Sequence, residues 1–124
     1  MVNRVALVTG GGSGIGREIC LSLAMAGNKV VAADLNKTGA DETVEMINAV
    51  GGIAYPITMD VADTNSVADG IFQAVDEFGP IEILVNCAGW DDLMPFLDTD
   101  EDFWDKIIDI NFKGVLRTVH HCLP

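Results

Sequence analysis

The sequence predicts an α/β fold, a doubly wound parallel sheet whose four strands lie in the order 3-2-1-4. Three observations predict it. Short apolar runs of strand length alternate with stretches of helical spacing along the chain, a glycine-rich loop falls between the first run and the first helical stretch, and no repeat, low-complexity tract or linker interrupts the alternation. Right-handed crossovers make such strands parallel, and winding away from the first strand in both directions gives that order. With 124 residues, 49% of them hydrophobic and 21% charged, residues 1–124 read as one domain able to bury its own core.

The run Val5-Ala6-Leu7-Val8 ends in glycines and reads as a strand buried on both faces. Ile15, Ile19 and Leu23 recur every fourth residue and predict the buried stripe of a first helix that stops near Gly27-Asn28. Val30 to Ala33 is the second strand, and Ala40, Val44 and Ile47 mark a second helix closed by Gly51-Gly52. Ile53 to Met59 is the third strand. A third helix is drawn by Val67, Ile71, Ala74, Val75 and Phe78, with Thr64, Asn65 and Ser66 as cap candidates and Gly79-Pro80 as its stop. Ile83-Leu84-Val85 is the fourth strand, and Trp104, Ile107, Ile108, Val115 and Val119 outline one longer last helix.

Seven basic residues against nineteen acidic ones leave a formal net charge of −12, with the acids scattered as on a solvated surface. Such a chain repels nucleic-acid phosphate and anionic lipid, so neither is expected as a partner. Cys20, Cys87 and Cys122 are odd in number and lack C-x-x-C or zinc-ligand spacing, which fits reduced thiols, a cytoplasmic setting and no metal. Met1-Val2-Asn3-Arg4 leads straight into the first strand with no signal-like apolar segment, and no stretch reaches the roughly 20 apolar residues that span a bilayer.

Ligands of open parallel sheets bind at the carboxyl ends of the strands, and the glycine loop Thr9-Gly10-Gly11-Gly12-Ser13-Gly14-Ile15-Gly16 lies at the first of them. Gly10 permits a tight turn, Gly14 removes a Cβ that would block a pyrophosphate, and Gly16 lets helix and strand approach closely. The helix N-terminus adds unpaired N–H groups and a partial positive charge, so even an acidic protein can hold a dianion there. No Gly-Lys-Ser/Thr follows, which excludes a nucleoside-triphosphatase loop. Asp34 ends the second strand 18 residues beyond Gly16, close to the roughly 20 of an acid that binds a ribose 2′-hydroxyl. A carboxylate there repels a 2′-phosphate, favouring NAD over NADP. Leu35-Asn36-Lys37 supplies one lysine and no arginine to offset it.

With these residues in place, the chain resembles the short-chain dehydrogenase/reductase family, whose Rossmann-type fold has the glycine spacing of Thr9-Gly10-x-x-x-Gly14-Ile15-Gly16. Asp60-Val61 is similar to the family's adenine-contacting pair, and Asn86-Cys87-Ala88-Gly89 to its Asn-Asn-Ala-Gly segment, with Cys87 in place of the second Asn. The resemblance implies that Asn86 steadies the sheet, that the small residues line the cofactor, and that Asn111 is the active-site Asn whose main chain holds a relay water. The expected cofactor-binding set is Gly10, Gly12, Ser13, Gly14, Ile15, Gly16, Asp34, Leu35, Asp60, Val61, Asn86, Ala88 and Gly89, with Asn111 as the catalytic-site residue. Read without the resemblance, Asn111 and nearby Gly114 predict a distortion or polar contact in the last helix, because both are poor helix formers. His120 and His121 suit a helix C-terminus, and Trp90, Trp104 and Phe96 read as core or interface rather than a substrate cage.

The resemblance also implies a Tyr acid/base, a Lys four residues later and a substrate-orienting Ser, for alcohol oxidation or ketone reduction, 3-oxoacyl or hydroxyacyl thioesters included. Tyr55 is the single tyrosine and Met59 stands four positions on, so none of the three is identifiable; the sequence ends at Pro124, before the expected fifth strand. A cofactor-binding portion, inactive by itself, is therefore expected, with an unpaired edge on the fourth strand. Homodimers or homotetramers through the last helix follow from the resemblance. The alternative is a non-catalytic dinucleotide-binding or subunit-interaction module.

Overall fold

The computed structural model describes residues 3–124, so the leader reading at Met1 and Val2 lies outside the described residues. Strands β1 (Val5–Thr9), β2 (Lys29–Asp34), β3 (Ile53–Thr58) and β4 (Ile83–Asn86) form one parallel sheet in the order β3-β2-β1-β4. This is the predicted doubly wound arrangement. β1 is central and buried at all five positions, as its unbroken apolar run requires. Pro56 sits within β3, an edge strand, where a missing N–H donor leaves no ladder bond to a further strand unmade.

Alternating side chains feed two cores. On one face Val8, Val30 and Ala32 pack with Cys20 and Ala24 of α1 (Gly14–Met25) and with Val44 and Ile47 of α2 (Lys37–Ala49). On the other, Leu7, Val31, Ala33 and Ile57 pack with Val67, Ile71 and Ala74 of α3 (Thr64–Phe78). The last helical stretch joins this second layer.

Four expectations need correction. The buried stripe of α1 is Gly16, Cys20 and Ala24; Ile19 and Leu23 are half-buried and pack against the same core, while Ile15 is 75% exposed. Gly16 sits so close to the glycine loop that α1 docks through its small residues, turning Ile15 outward. The N-cap of α3 is Asp63, whose Oδ1 accepts from the Asn65 and Ser66 amides, while the Ser66 hydroxyl accepts from the Asp60 N–H. Val75 is 40% exposed rather than core. Finally, the last helix is not continuous: α4 (Glu101–Ile107) runs into a π-helical turn at Ile108–Lys113 and then into α5 (Gly114–Cys122). Asn111 lies in the π turn, so the distortion read from Asn111 and Gly114 is there. Of the residues read as that helix's apolar stripe, Trp104, Ile108 and Val119 are exposed; Gly114 and Thr118 are the buried positions of α5.

Candidate cofactor cleft

The carboxyl ends of all four strands open into one cleft of about 510 Å³. Its wall brings together Gly10, Ser13, Gly14, Ile15 and Gly16 after β1, Asp34 and Leu35 after β2, Asp60 and Val61 after β3, and Ala88 and Gly89 after β4. Eleven of the thirteen expected cofactor residues therefore share one surface. Gly12 and Asn86 lie behind it, as does Asn111.

The glycines divide by what confines them. A Cβ on Gly16 would stand 2.0 Å from the Gly10 carbonyl oxygen, and one on Gly10 would stand 2.8 Å from the Ala88 nitrogen. Both positions are closed by the protein itself. Gly14 has φ +54° and nothing within 4 Å of its Cβ direction, so its backbone is left-handed while the space above it is open. That open space lies beside the start of α1, on the cleft wall. Ser13 takes the N-cap position of α1 without a side-chain capping bond, and the first helical bond runs from the Arg17 N–H to the Ser13 carbonyl. The leading amides of α1 are thus left for a ligand.

The loop is braced from behind by residues that motif reading did not single out. Arg17 donates to the Gly12 and Gly39 carbonyls, to Thr43 Oγ1 and to Glu42, and Thr43 Oγ1 donates to the Gly11 carbonyl. Arg17 is spent on α2 and does not serve the cleft. At the front, Thr9 Oγ1 accepts from both the Cys87 and Ala88 amides at 3.1 Å, joining the β1 and β4 exits. Cys87, expected to have little duty, lines the cleft through this turn. Beneath the loop, burial pushes the Cys20 thiol up to about 12, with nearby Cys87 and Asp34 adding to it.

Asp34 Oδ2 accepts from the Gly12 N–H at 2.8 Å and Oδ1 from the Asn36 N–H at 2.9 Å. Two amides thereby fix the carboxylate on the cleft wall, with further lone pairs left to accept. Gly12 acts through Asp34, and a Cβ there would stand 2.7 Å from Oδ2. Asp60 Oδ1 accepts from the Ala62 N–H, closing the turn after β3. Val61 is held by Arg117, whose guanidinium donates to the Val61 carbonyl, the Asp109 carbonyl and Asp109 Oδ1.

Asn86 ends β4 and its Oδ1 accepts from the Thr118 hydroxyl, tying sheet to α5. Asn111 uses its side chain as a clamp, donating to the Trp90 carbonyl and accepting from the Trp90 N–H, each at 2.8 Å. Its side chain acts by positioning; the relay role implied by the resemblance would fall to its main chain. Trp90 is half-buried on the cleft wall rather than in the core, with Lys106 Nζ 3.9 Å from its ring centroid. Phe96 and Trp104 stack at 5.8 Å on the surface, and Tyr55 packs edge-on against Phe78 away from the cleft.

A four-stranded parallel sheet in the order β3-β2-β1-β4, with a glycine-rich first turn, an acid after the second strand and small residues after the fourth, is a Rossmann-type arrangement. Residues 4–124 match the short chain dehydrogenase family, and the chain belongs to it. It is 42% identical over 114 residues to a short chain dehydrogenase/reductase, astE, of Aspergillus oryzae, covering 90% of this chain and 44% of that protein. It is 31% identical over 121 residues to the 3-oxoacyl-[acyl-carrier-protein] reductase FabG of Thermotoga maritima, covering 98% of this chain and 49% of the relative. Among solved structures, gox2181 superposes with a TM-score of 0.94 at 35% identity, over 98% of this chain and 48% of that one. Actinorhodin polyketide ketoreductase, solved with NADPH, gives 0.94 at 29% identity over 99% and 48%. The chain spans about half the length of these proteins. The family is one of oxidoreductases.

Proposed function

We propose that this chain is the cofactor-holding portion of an NAD(H)-dependent alcohol dehydrogenase or carbonyl reductase. The cleft fits a nicotinamide dinucleotide, because Gly14 leaves open space at the helix start and Asp34 presents a fixed carboxylate beside it. The leading amides of α1 would hold the pyrophosphate, Asp34 and Leu35 the adenosine ribose, Asp60 and Val61 the adenine, and Ala88 and Gly89 the nicotinamide side. When bound, the nicotinamide gives or takes the hydride. The substrate is a carbonyl or alcohol compound, 3-oxoacyl and hydroxyacyl thioesters included. The reactive Ser, Tyr and Lys are not identifiable in residues 1–124, so the chain by itself binds without turnover.

The observation that carries the NAD preference is Asp34, whose two amide contacts prevent it from swinging aside for a 2′-phosphate. In fluorescence titrations the chain is expected to bind NADH at least tenfold more tightly than NADPH, and Asp34→Asn, which keeps size and an acceptor, to erase most of that gap. Equal or tighter NADPH binding overturns the NAD assignment; binding of neither overturns the cofactor reading.

We further propose that the protein works in the cytoplasm as a homodimer or homotetramer. The support is a stripe along the last helical stretch, Ile108, Phe112 and Leu116, exposed by 48%, 63% and 54%. Continuous apolar exposure of that kind marks an interface.

A further inference from the structure

Lys106 is the one basic residue among those lining the cleft, where the acids are Asp34 and Asp60. Its surroundings in sequence are acidic: Asp102 stands one helical turn before it, Asp105 beside it and Asp109 three positions on. It pairs with none of them. The three ion pairs among the described residues use Arg17, Lys37 and Arg117. Instead the ammonium rests 3.9 Å from the Trp90 ring centroid. Cation–π contact holds a cation in place yet takes none of its N–H donors.

The indole under it is itself held. Asn111 clamps the Trp90 backbone through two hydrogen bonds, and Phe103 meets the Trp90 ring edge-on at 5.5 Å. A fixed aromatic platform therefore presents an ammonium with free donors to the cleft. Its place is at the β4 side, next to Gly89, with β1 between it and the Asp34 end of β2. On the cofactor reading proposed above, pyrophosphate and ribose are already served by α1 and Asp34, and the Lys106 end faces the reacting compound.

We infer that Lys106 recognises an anion at the substrate end of the cleft, and that the compound oxidised or reduced there bears a carboxylate or phosphate. The inference rests on the cofactor reading. It is tested in a Trp104→Phe background, which leaves Trp90 as the single indole reporter, with the chain saturated by NADH. Acetoacetate is titrated against methyl acetoacetate, and dihydroxyacetone phosphate against dihydroxyacetone, into proteins carrying Lys106, Lys106→Met and Lys106→Arg.

In at least one pair the anion is expected to bind tenfold or more tightly than its neutral counterpart, with the advantage lost in Lys106→Met and restored in Lys106→Arg. The pair that responds distinguishes carboxylate from phosphate. NADH affinity should stay within twofold across the three proteins. No preference in either pair, or a preference that survives Lys106→Met, overturns the inference while leaving the cofactor reading intact. A tenfold loss of NADH affinity in Lys106→Met also overturns it, by assigning the lysine to the cofactor. Failure of the Lys106 protein to bind NADH overturns both readings.

Discussion

Gly14 and Gly16 are two residues apart and carry opposite kinds of constraint. At Gly16 an added methyl collides with the Gly10 carbonyl at 2.0 Å, and the backbone must move to admit it. Gly16→Ala is expected to lose roughly 1–3 kcal/mol of stability, the usual range for overpacking, read as a lower urea midpoint. At Gly14 the methyl meets no protein atom, and its cost is the left-handed φ of +54°, about 1–2 kcal/mol. Its larger effect is on ligand: Gly14→Ala should weaken NADH at least tenfold, because the methyl occupies the open space. An NADH affinity lost no more in Gly14→Ala than in Gly16→Ala would falsify this division. Cys20 gives a second expectation. Its thiol ionises at an ordinary 9.0 when unfolded and at about 12 when buried. Between those values the folded state keeps a proton that the unfolded state has lost, so stability falls as pH rises through that window, with a slope approaching about 1.4 kcal/mol per pH unit. Denaturant titrations from pH 8.5 to 11 should show this slope reduced in Cys20→Ala.

At the scale of elements, the strands were legible because a buried parallel strand has only one chemical signature, an unbroken apolar run. The cleft was legible for a related reason: motifs at strand ends are brought together by the topology whatever the helices do. The helices were less transparent. In α1 the first apolar side chain, Ile15, belongs to the cleft, and the fully buried positions are the small residues Gly16, Cys20 and Ala24, with Ile19 and Leu23 packed beside them. Before α3, Asp63, Thr64, Asn65 and Ser66 can all cap a helix; Asp63 takes the role, and the Ser66 hydroxyl is engaged by the Asp60 amide instead. The poor helix formers Asn111 and Gly114 pointed to a distortion, but not to its kind. The π turn is accompanied by contacts with distant partners, Asn111 with Trp90 and Arg117 with Val61. Arg17, Thr43 and Thr118 escaped notice because bracing a loop or a strand end needs only one well-placed donor and leaves no motif.

For the whole molecule, the stripe of Ile108, Phe112 and Leu116 sets an expectation about assembly. A glutamate at Leu116 would face its symmetry mate across a two-fold interface, so Leu116→Glu should shift sedimentation to the monomer without changing far-ultraviolet dichroism. An unchanged sedimentation coefficient for an oligomeric parent would place the interface elsewhere. The scattered acids have a consequence of another sort. On the proposed cofactor reading, a protein of charge −12 draws in a doubly anionic pyrophosphate using oriented amides, whose local pull does not extend far into solvent, against a long-range repulsion from its own surface. Added salt shortens that repulsion, from a Debye length of about 30 Å at 0.01 M to about 10 Å at 0.1 M, and leaves the desolvated amide contacts nearly untouched. The association rate of NADH should therefore rise severalfold over that range in stopped-flow mixing, the reverse of what a lysine-lined phosphate site shows.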